Sequence, residues 1–130
     1  MLDDISDLLT TGGMTSTIYK SFMPEQPDEA LVLTETAGMG PIHAMSTGPG
    51  NAAIEVAGLQ VIRRSSSYQT ARTDMQTVMN LLDGVTERTI NATRYSYIEA
   101  TQVPFSIGRD ESERSMLSVN FLAYKDRSTG

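Results

Sequence analysis

The charged residues best suited to specific contacts lie together near the C-terminus. Two arginines and three acids fall within six positions: Arg109, Asp110, Glu111, Glu113 and Arg114. Three neighbouring carboxylates could gather Mg²⁺ or Ca²⁺, but the ligand spacing and the glycine of an EF-hand loop are missing. Alternating charges favour ion pairs within the segment, or docking to a copy of the chain or to another protein. We therefore predict that residues 102–115 form a long contact loop and hold no metal.

A second candidate is the stretch 37–53, which is rich in glycine and proline and contains the only histidine, His43. A general base needs an orienting acid and a nucleophile within reach, and the chain has no cysteine and no Gly-x-Ser-x-Gly sequence. Gly38-x-Gly40 lacks the rest of a dinucleotide or P-loop motif. We expect no catalytic residue, metal or cofactor, so the chain is predicted not to be an enzyme. The alternative from a different class is a small acidic ligand-binding domain or enzyme that uses the Gly38–His43 loop.

Hydrophobic spacing predicts two helices that would hold these loops in place. Leu2, Ile5, Leu8 and Leu9 indicate a short amphipathic helix over 2–11, ended by a pair of glycines. A longer helix at about 67–83 has Ser66 as its predicted N-cap and a single apolar stripe. That stripe consists of Tyr68, Ala71, Met75, Val78, Met79 and Leu82.

Five segments show the alternation or the β-branched and aromatic content of strands, namely 17–22, 30–36, 54–64, 93–101 and 116–125. The last two strands should pair antiparallel through the 102–115 loop, while 37–53 is predicted to be irregular. Adjacent Arg63 and Arg64 would point to opposite faces, and we expect each at the surface. The predicted fold is a single α+β domain over 1–130. It has a mixed, mostly antiparallel sheet of about five strands, the long helix packed on that sheet, and a short N-terminal helix.

The net charge of -6 is concentrated at the N-terminal end. Residues 1–36 contain seven acids and one base, whereas the remaining residues are balanced. This predicts a solvated acidic face and argues against a nucleic-acid-binding surface, which needs clustered Lys and Arg. No run of about 18 apolar residues exists, so neither a membrane-spanning helix nor a membrane partner is expected.

Several segments, taken in order, resemble tail-terminator or minor capsid proteins of long-tailed (siphovirus-type) bacteriophages. A strand ending in Glu leads into a Gly-Pro-His-like loop at 35–43, and a strand with a Gln-Val-x-x-Arg pattern follows at 54–63. A helix then precedes a Pro-Phe-x-x-Gly-Arg-Asp-Glu loop at 104–111 and a Ser-Val-Asn-Phe strand at 118–121. The resemblance covers about residues 31–122.

This resemblance implies a structural protein of the phage virion. Such proteins assemble as a hexameric ring on the head-proximal end of the tail tube, stop its polymerisation, and present a surface to the neck or connector proteins. Genomic DNA would pass through the lumen without specific binding, and the acidic character suits a surface that repels phosphates. The location implied is the tail–neck junction, after assembly in the host cytoplasm. A head–tail adaptor or stopper protein of the neck is the closest alternative.

On this reading, the loops at 102–115 and 37–51 make contacts between subunits or with neighbouring rings. The residues predicted for such contacts are Arg109, Asp110, Glu111, Glu113, Arg114, Glu35, Met39, His43 and Met45. The guanidinium of Arg109 offers bidentate geometry toward an acid of an adjacent copy.

Overall fold

Seven strands and two helices make up the part of the chain that the computed structural model describes, residues 1–42 and 54–126. The elements follow in the order α1 (Leu2–Thr11), β1 (Ile18–Lys20), β2 (Ala30–Ile42), β3 (Ile54–Ser65), α2 (Tyr68–Leu82), β4 (Val85–Ile90), β5 (Thr93–Ala100), β6 (Phe105–Arg109) and β7 (Ser115–Asp126). The α+β class and both helices are confirmed, but the predicted count of about five strands is wrong.

The seven strands form one curled sheet in the order β1-β2-β3-β7-β5-β4, with β6 also paired to β7. The β1–β2 pair is parallel and the other pairs are antiparallel, so the sheet is mixed. β7 is central: β3 follows one side of it along 12 paired positions. Its other side is shared between β6, at residues 115–118, and β5, at residues 121–125.

Both helices lie against one face of this sheet and enclose the core with it. Four of the six residues in the predicted apolar stripe of α2 are buried, namely Ala71, Met75, Val78 and Leu82, whereas Met79 is half-buried and Tyr68 is exposed. Ile5, Leu8 and Leu9 of α1 are buried as well. They form one cluster with the inward side chains of β2, β3, β5 and β7. Because α1 is too short to be stable alone, this packing is what holds it in a helical conformation.

One buried polar pair ties α1 to the sheet. Tyr95 of β5 is fully buried and donates its hydroxyl to the Asp4 carboxylate, at 2.6 Å between the oxygens. Asn91 donates to the other Asp4 oxygen at 3.1 Å. Burial, and then the bond to Asp4, raise the pKa of Tyr95 above its ordinary value, so the hydroxyl stays protonated and keeps donating.

The two missed strands and one extended strand have identifiable causes. All four central residues of β4 are exposed, so this edge strand has no alternation to detect. β6 was missed because Pro104 and Gly108 are typical of loops, although Phe105 and Ile107 do alternate with Ser106 and Gly108 as in a strand. β2 continues to Ile42 through residues predicted to be irregular, because β3 pairs with it across two register shifts. The N-cap of α2 is Ser67, whose hydroxyl accepts from the Thr70 N–H at 3.3 Å, and not Ser66.

Candidate protein interface

The five charged residues near the C-terminus sit at the turn of a hairpin, and not on a long open loop. β6 ends at Arg109, β7 begins at Ser115, and the register pairs these two residues directly. Asp110 organises the turn by accepting from the Ser112 N–H at 3.0 Å and from the Arg114 N–H at 2.9 Å. Its second oxygen accepts from Arg114 Nε at 2.7 Å. The backbone of the turn is therefore held by its own side chains.

Arg114 points into the subunit. Its side chain is 7% exposed, and Nη1 donates to the Glu25 carbonyl at 2.6 Å and to the Asp28 carboxylate at 3.2 Å. Arg64 anchors the same segment by donating from Nε to the Asp28 carbonyl at 3.3 Å and from Nη2 to the Pro27 carbonyl at 2.5 Å. Two of the five predicted contact residues, Asp110 and Arg114, are thus committed to a fold contact within their own chain.

The outward side of the turn is formed by Arg109, Glu111 and Glu113. Arg109 and Glu113 make an ion pair at 3.4 Å, with side chains 64% and 79% exposed. An exposed pair of this kind contributes about 0–1 kcal/mol, so both groups can change partners at little cost. Glu111 makes no ion pair within the described ranges. These three residues are the ones from this turn that a neighbouring protein would meet.

The remaining predicted residues belong to β2 or lie beyond it. Glu35 and Met39 are both exposed on this strand, and the Met39 side chain is 61% exposed. His43 and Met45 lie outside the described residues, as does most of the predicted 37–51 contact loop. Residues 38–42, the described part of the alternative ligand-binding loop, are strand and not loop.

The hairpin turn and the end of β2 lie at opposite ends of the sheet, with Met39 toward the end of β2 and Glu35 midway between the two. The register pairs Ser65 with Ser115 beside the hairpin turn, and Ile54 with Asp126 at the other end of the same ladder. With about 3.3 Å per residue, these ends are about 36 Å apart. Ile42 pairs with Ile54 at that far end. The predicted contact residues at the turn and Met39 on β2 are therefore separated along the sheet and do not form one site.

The acidic N-terminal third does not form one acidic face, because the fold brings bases to it. Asp3 pairs with Lys20 at 2.6 Å, and Asp28 pairs with Arg114. Glu29 accepts from Arg63 Nη2 at 3.2 Å and from Ser65 Oγ at 2.6 Å. The expectation that Arg63 and Arg64 lie at the surface is wrong, since each residue is 2% exposed.

The Glu29 contacts predict a pH-dependent stability. Burial opposes ionisation of Glu29, but bonds from Ser65 and Ser66 and the charge of Arg63 outweigh it and lower the pKa of the carboxyl from its ordinary 4.5. The stabilisation is therefore present above about pH 4.5 and is lost as the pH falls through the folded-state pKa. We expect Glu29→Gln to be less stable than the wild type near neutral pH and to lose stability less steeply on acidification.

Urea unfolding at neutral pH and at about pH 3 measures both effects. Glu111→Gln is the matched control, since it removes an exposed acid without a partner and should leave the two curves unchanged. Equal pH slopes for wild type and Glu29→Gln would contradict the prediction.

No metal or membrane feature accompanies these surfaces. Within residues 1–42 and 54–126, no group of three or more His, Cys, Asp or Glu is placed to hold a metal ion. None of the described helices combines the length and the apolar character needed to cross a membrane.

Comparison with known proteins decides the family. A family model described as bacteriophage tail terminator protein matches residues 4–127. The chain belongs to this family. The resemblance drawn from the sequence is thereby confirmed, and this tail terminator family member is a structural protein of the phage tail, located in the virion. The family is one of virion structural proteins, which is not an enzyme class.

A solved structure shares the fold of this tail terminator family member. A chain in the virion of a native gene transfer agent particle superposes with a TM-score of 0.62 at 11% sequence identity. The match covers 98% of this chain and 95% of that chain. Comparison with the curated proteins gave no match. At this identity the likeness concerns the fold, and the family assignment depends on the match over residues 4–127.

Proposed function

We propose that this protein is a ring-forming tail terminator, which caps the head-proximal end of the tail tube and joins it to the neck or connector. The family match over residues 4–127 is the observation that carries the proposal. Residues 1–130 act as a single tail-terminator-like domain. Six copies form the ring at the tail–neck junction, after assembly in the host cytoplasm.

The separation of the two contact regions supports this role. A subunit in a ring that is stacked between two assemblies needs two axial faces for the tail tube and the connector. The hairpin turn at 109–114 and the far part of β2 lie at opposite ends of the strands, as such a subunit requires. We propose that Arg109, Glu111 and Glu113 at one end contact a neighbouring subunit or ring. We propose the same for Glu35 and Met39 of β2, and for His43 and Met45, which follow β2 in the sequence and lie outside the described residues.

Lys and Arg side chains are largely bonded to oxygens of their own chain. This supports our proposal that genomic DNA passes through the lumen without specific binding. Of the nine Lys and Arg side chains in the described residues, all but Arg88 donate a hydrogen bond to, or form an ion pair with, an oxygen acceptor of the same chain. Phosphate binding needs free, clustered cations that release counterions. The buried arginines Arg63, Arg64 and Arg114 in particular are committed to the subunit, which reduces the number of cations available to hold DNA in place.

Negative-stain imaging of the purified protein tests the ring directly, and we expect particles with six subunits around a central hole. Deleting the gene should give overlong tails and unjoined heads. Normal-length tails, with heads that lose their DNA, would instead identify a stopper. A protein that stays monomeric at high concentration, together with normal tails after deletion, would refute the proposal.

A turn variant tests the contact residues separately from the fold. Because Arg114 is internal, the informative change is Arg109→Ala with Glu111→Ala. We expect unfolding stability to change by less than about 0.5 kcal/mol, since both side chains are exposed. The yield of joined particles in a complementation assay should fall several-fold. Thr73→Ala, at an exposed site on α2, is the control and should complement fully. Full complementation by the turn variant would remove this turn from the interface.

A further inference from the structure

Arg88 is the one cation in the described residues that makes no hydrogen bond or ion pair. The residues that the structure does not describe, 43–53 and 127–130, contain no Asp or Glu side chain that could pair with it. An exposed arginine on a strand, with a strand's limited backbone freedom, is well placed to meet an acid of another molecule. Residue type and spacing did not distinguish Arg88 from the other arginines of the chain.

The surroundings of Arg88 form a docking groove. It lies on the edge strand β4 and lines a depression of about 250 Å³ between this strand and α1, together with Leu8, Ile90 and Asp7. The Asp7 carboxylate in the same groove already accepts from Asn91 Nδ2 at 2.7 Å. The charged donor among the residues that line the groove is therefore the Arg88 guanidinium, with the apolar side chains of Leu8 and Ile90 beside it.

Glu35 is its counterpart at the opposite edge of the sheet. Among the described residues, β1 covers only Leu31 to Leu33 of β2, and no strand pairs with the outer side of β2 from Glu35 onward. Glu35 is exposed and makes no ion pair within the described residues, although Lys125 lines the same shallow depression. Lys125 itself is paired with Glu55 at 4.0 Å.

Both side chains lie on the helix-bearing face of the sheet. Glu35 is opposite Leu59 and Arg88 is opposite Tyr95, and both of these partners are in the core between sheet and helices. Directly paired residues place their side chains on the same face. In a ring, copies related by rotation turn the same face of the sheet to the same side. Where the β2 edge of one copy meets the β4 edge of the next, Glu35 and Arg88 therefore lie on the same side of the sheet.

We propose that Glu35 of one copy binds Arg88 of the next copy, so that the open edge of β2 docks at the groove between α1 and β4. This inference rests on the proposed ring. The contact is heterologous, because one copy uses a different surface from its neighbour. A heterologous contact closes into a ring when the rotation between copies permits.

The heights of the two residues along the strands are compatible with this contact. Glu35 is level with Phe121 of β7, and Arg88 is level with Lys125, an offset of four residues or about 13 Å. From β4 of one copy to β4 of the next is about 24 Å across the sheet, which is five strand spacings of about 4.8 Å. When the strands tilt by about 28° from the ring axis, the two residues come to the same height along that axis. This tilt is less than the 35–45° of typical closed barrels.

The absence of cysteine from the chain permits a clean crosslinking test. A single chain carrying both Glu35→Cys and Arg88→Cys should, under mild oxidation, give a ladder of disulfide-linked species that ends at the closed ring. Each single-cysteine variant can give no more than a dimer. The matched control is Arg88→Cys with Glu111→Cys, which should give no ladder, since Glu111 lies at the hairpin turn.

Charge reversal tests the pair without a covalent bond. Arg88→Glu should weaken ring association at least about tenfold, because two acids then face each other. Glu35→Arg combined with Arg88→Glu should restore most of it, as measured by native mass spectrometry. If the wild type forms rings and neither the ladder nor the rescue appears, this contact is wrong and the proposed function stands. A wild type that never forms rings overturns both.

Discussion

Replacing Arg63 by methionine is expected to lower the free energy of unfolding by about 3 kcal/mol. The Arg63 side chain is 3% exposed and donates from Nε to Asp74 at 2.8 Å and from Nη2 to Glu29 at 3.2 Å. Removing one partner of a buried ion pair leaves the other charges without compensation, which costs about 3–5 kcal/mol. The lower end applies, because Asp74 and Glu29 are 25% and 43% exposed and regain water.

Urea unfolding followed by circular dichroism measures this loss. Arg109→Met is the matched control, since it removes a guanidinium whose ion pair is exposed, and should change stability by less than about 0.5 kcal/mol. Equal effects of the two substitutions would mean that the network around Arg63 adds nothing to stability. A large loss for Arg63→Met would establish that this arginine joins β3, α2 and the start of β2, and is not a contact residue.

Replacing Gly38 by alanine is expected to destabilise the protein by about 3 kcal/mol, or to break the pairing at the far part of β2. A Cβ at Gly38 would lie 1.9 Å from the Val56 carbonyl oxygen and 2.9 Å from the Gly58 nitrogen. Both are backbone atoms of β3, so no side-chain rotation can make room. The glycine is needed for the close approach of the two strands at the register shift between Thr36 and Met39.

Gly40 of the same strand provides the control. Nothing lies within 4 Å of a Cβ built at this position, so Gly40→Ala should leave stability unchanged or raise it by about 0.5 kcal/mol. Thermal unfolding compares the two variants, and amide hydrogen exchange of β2 reports whether the pairing has been lost. Similar unfolding temperatures for both variants would show that the strands separate at little cost.

The two variants also distinguish the fold from the proposed assembly. The far part of β2 holds Met39 and is adjacent to Glu35, so a distorted strand should impair ring formation along with stability. Arg63→Met should reduce stability with no selective effect on assembly under conditions where the protein is folded. This difference separates a residue that supports the framework from one that shapes a contact surface.

The sequence by itself determined the elements whose side chains face the core. α1, α2 and β3 were predicted within one or two residues, because burial on one face imposes a period of 3.6 in a helix and 2 in a strand. It also determined the family, since the order of short segments from Glu35 to Asn120 survives where no single motif is distinctive.

The tertiary structure alone decided which exposed segments are strands, because these depend on pairing with a neighbouring strand and not on burial of one face. β4 and the outer half of β2 are strands because a neighbour supplies their hydrogen bonds, and exposed edges need no apolar alternation. The roles of the arginines were likewise settled by position in space. Arg63, Arg64 and Arg114 are buried against acids and carbonyls distant in sequence, whereas Arg88 has no such partner. A charge's role depends on which groups the fold brings near it, and residue type alone does not carry that information.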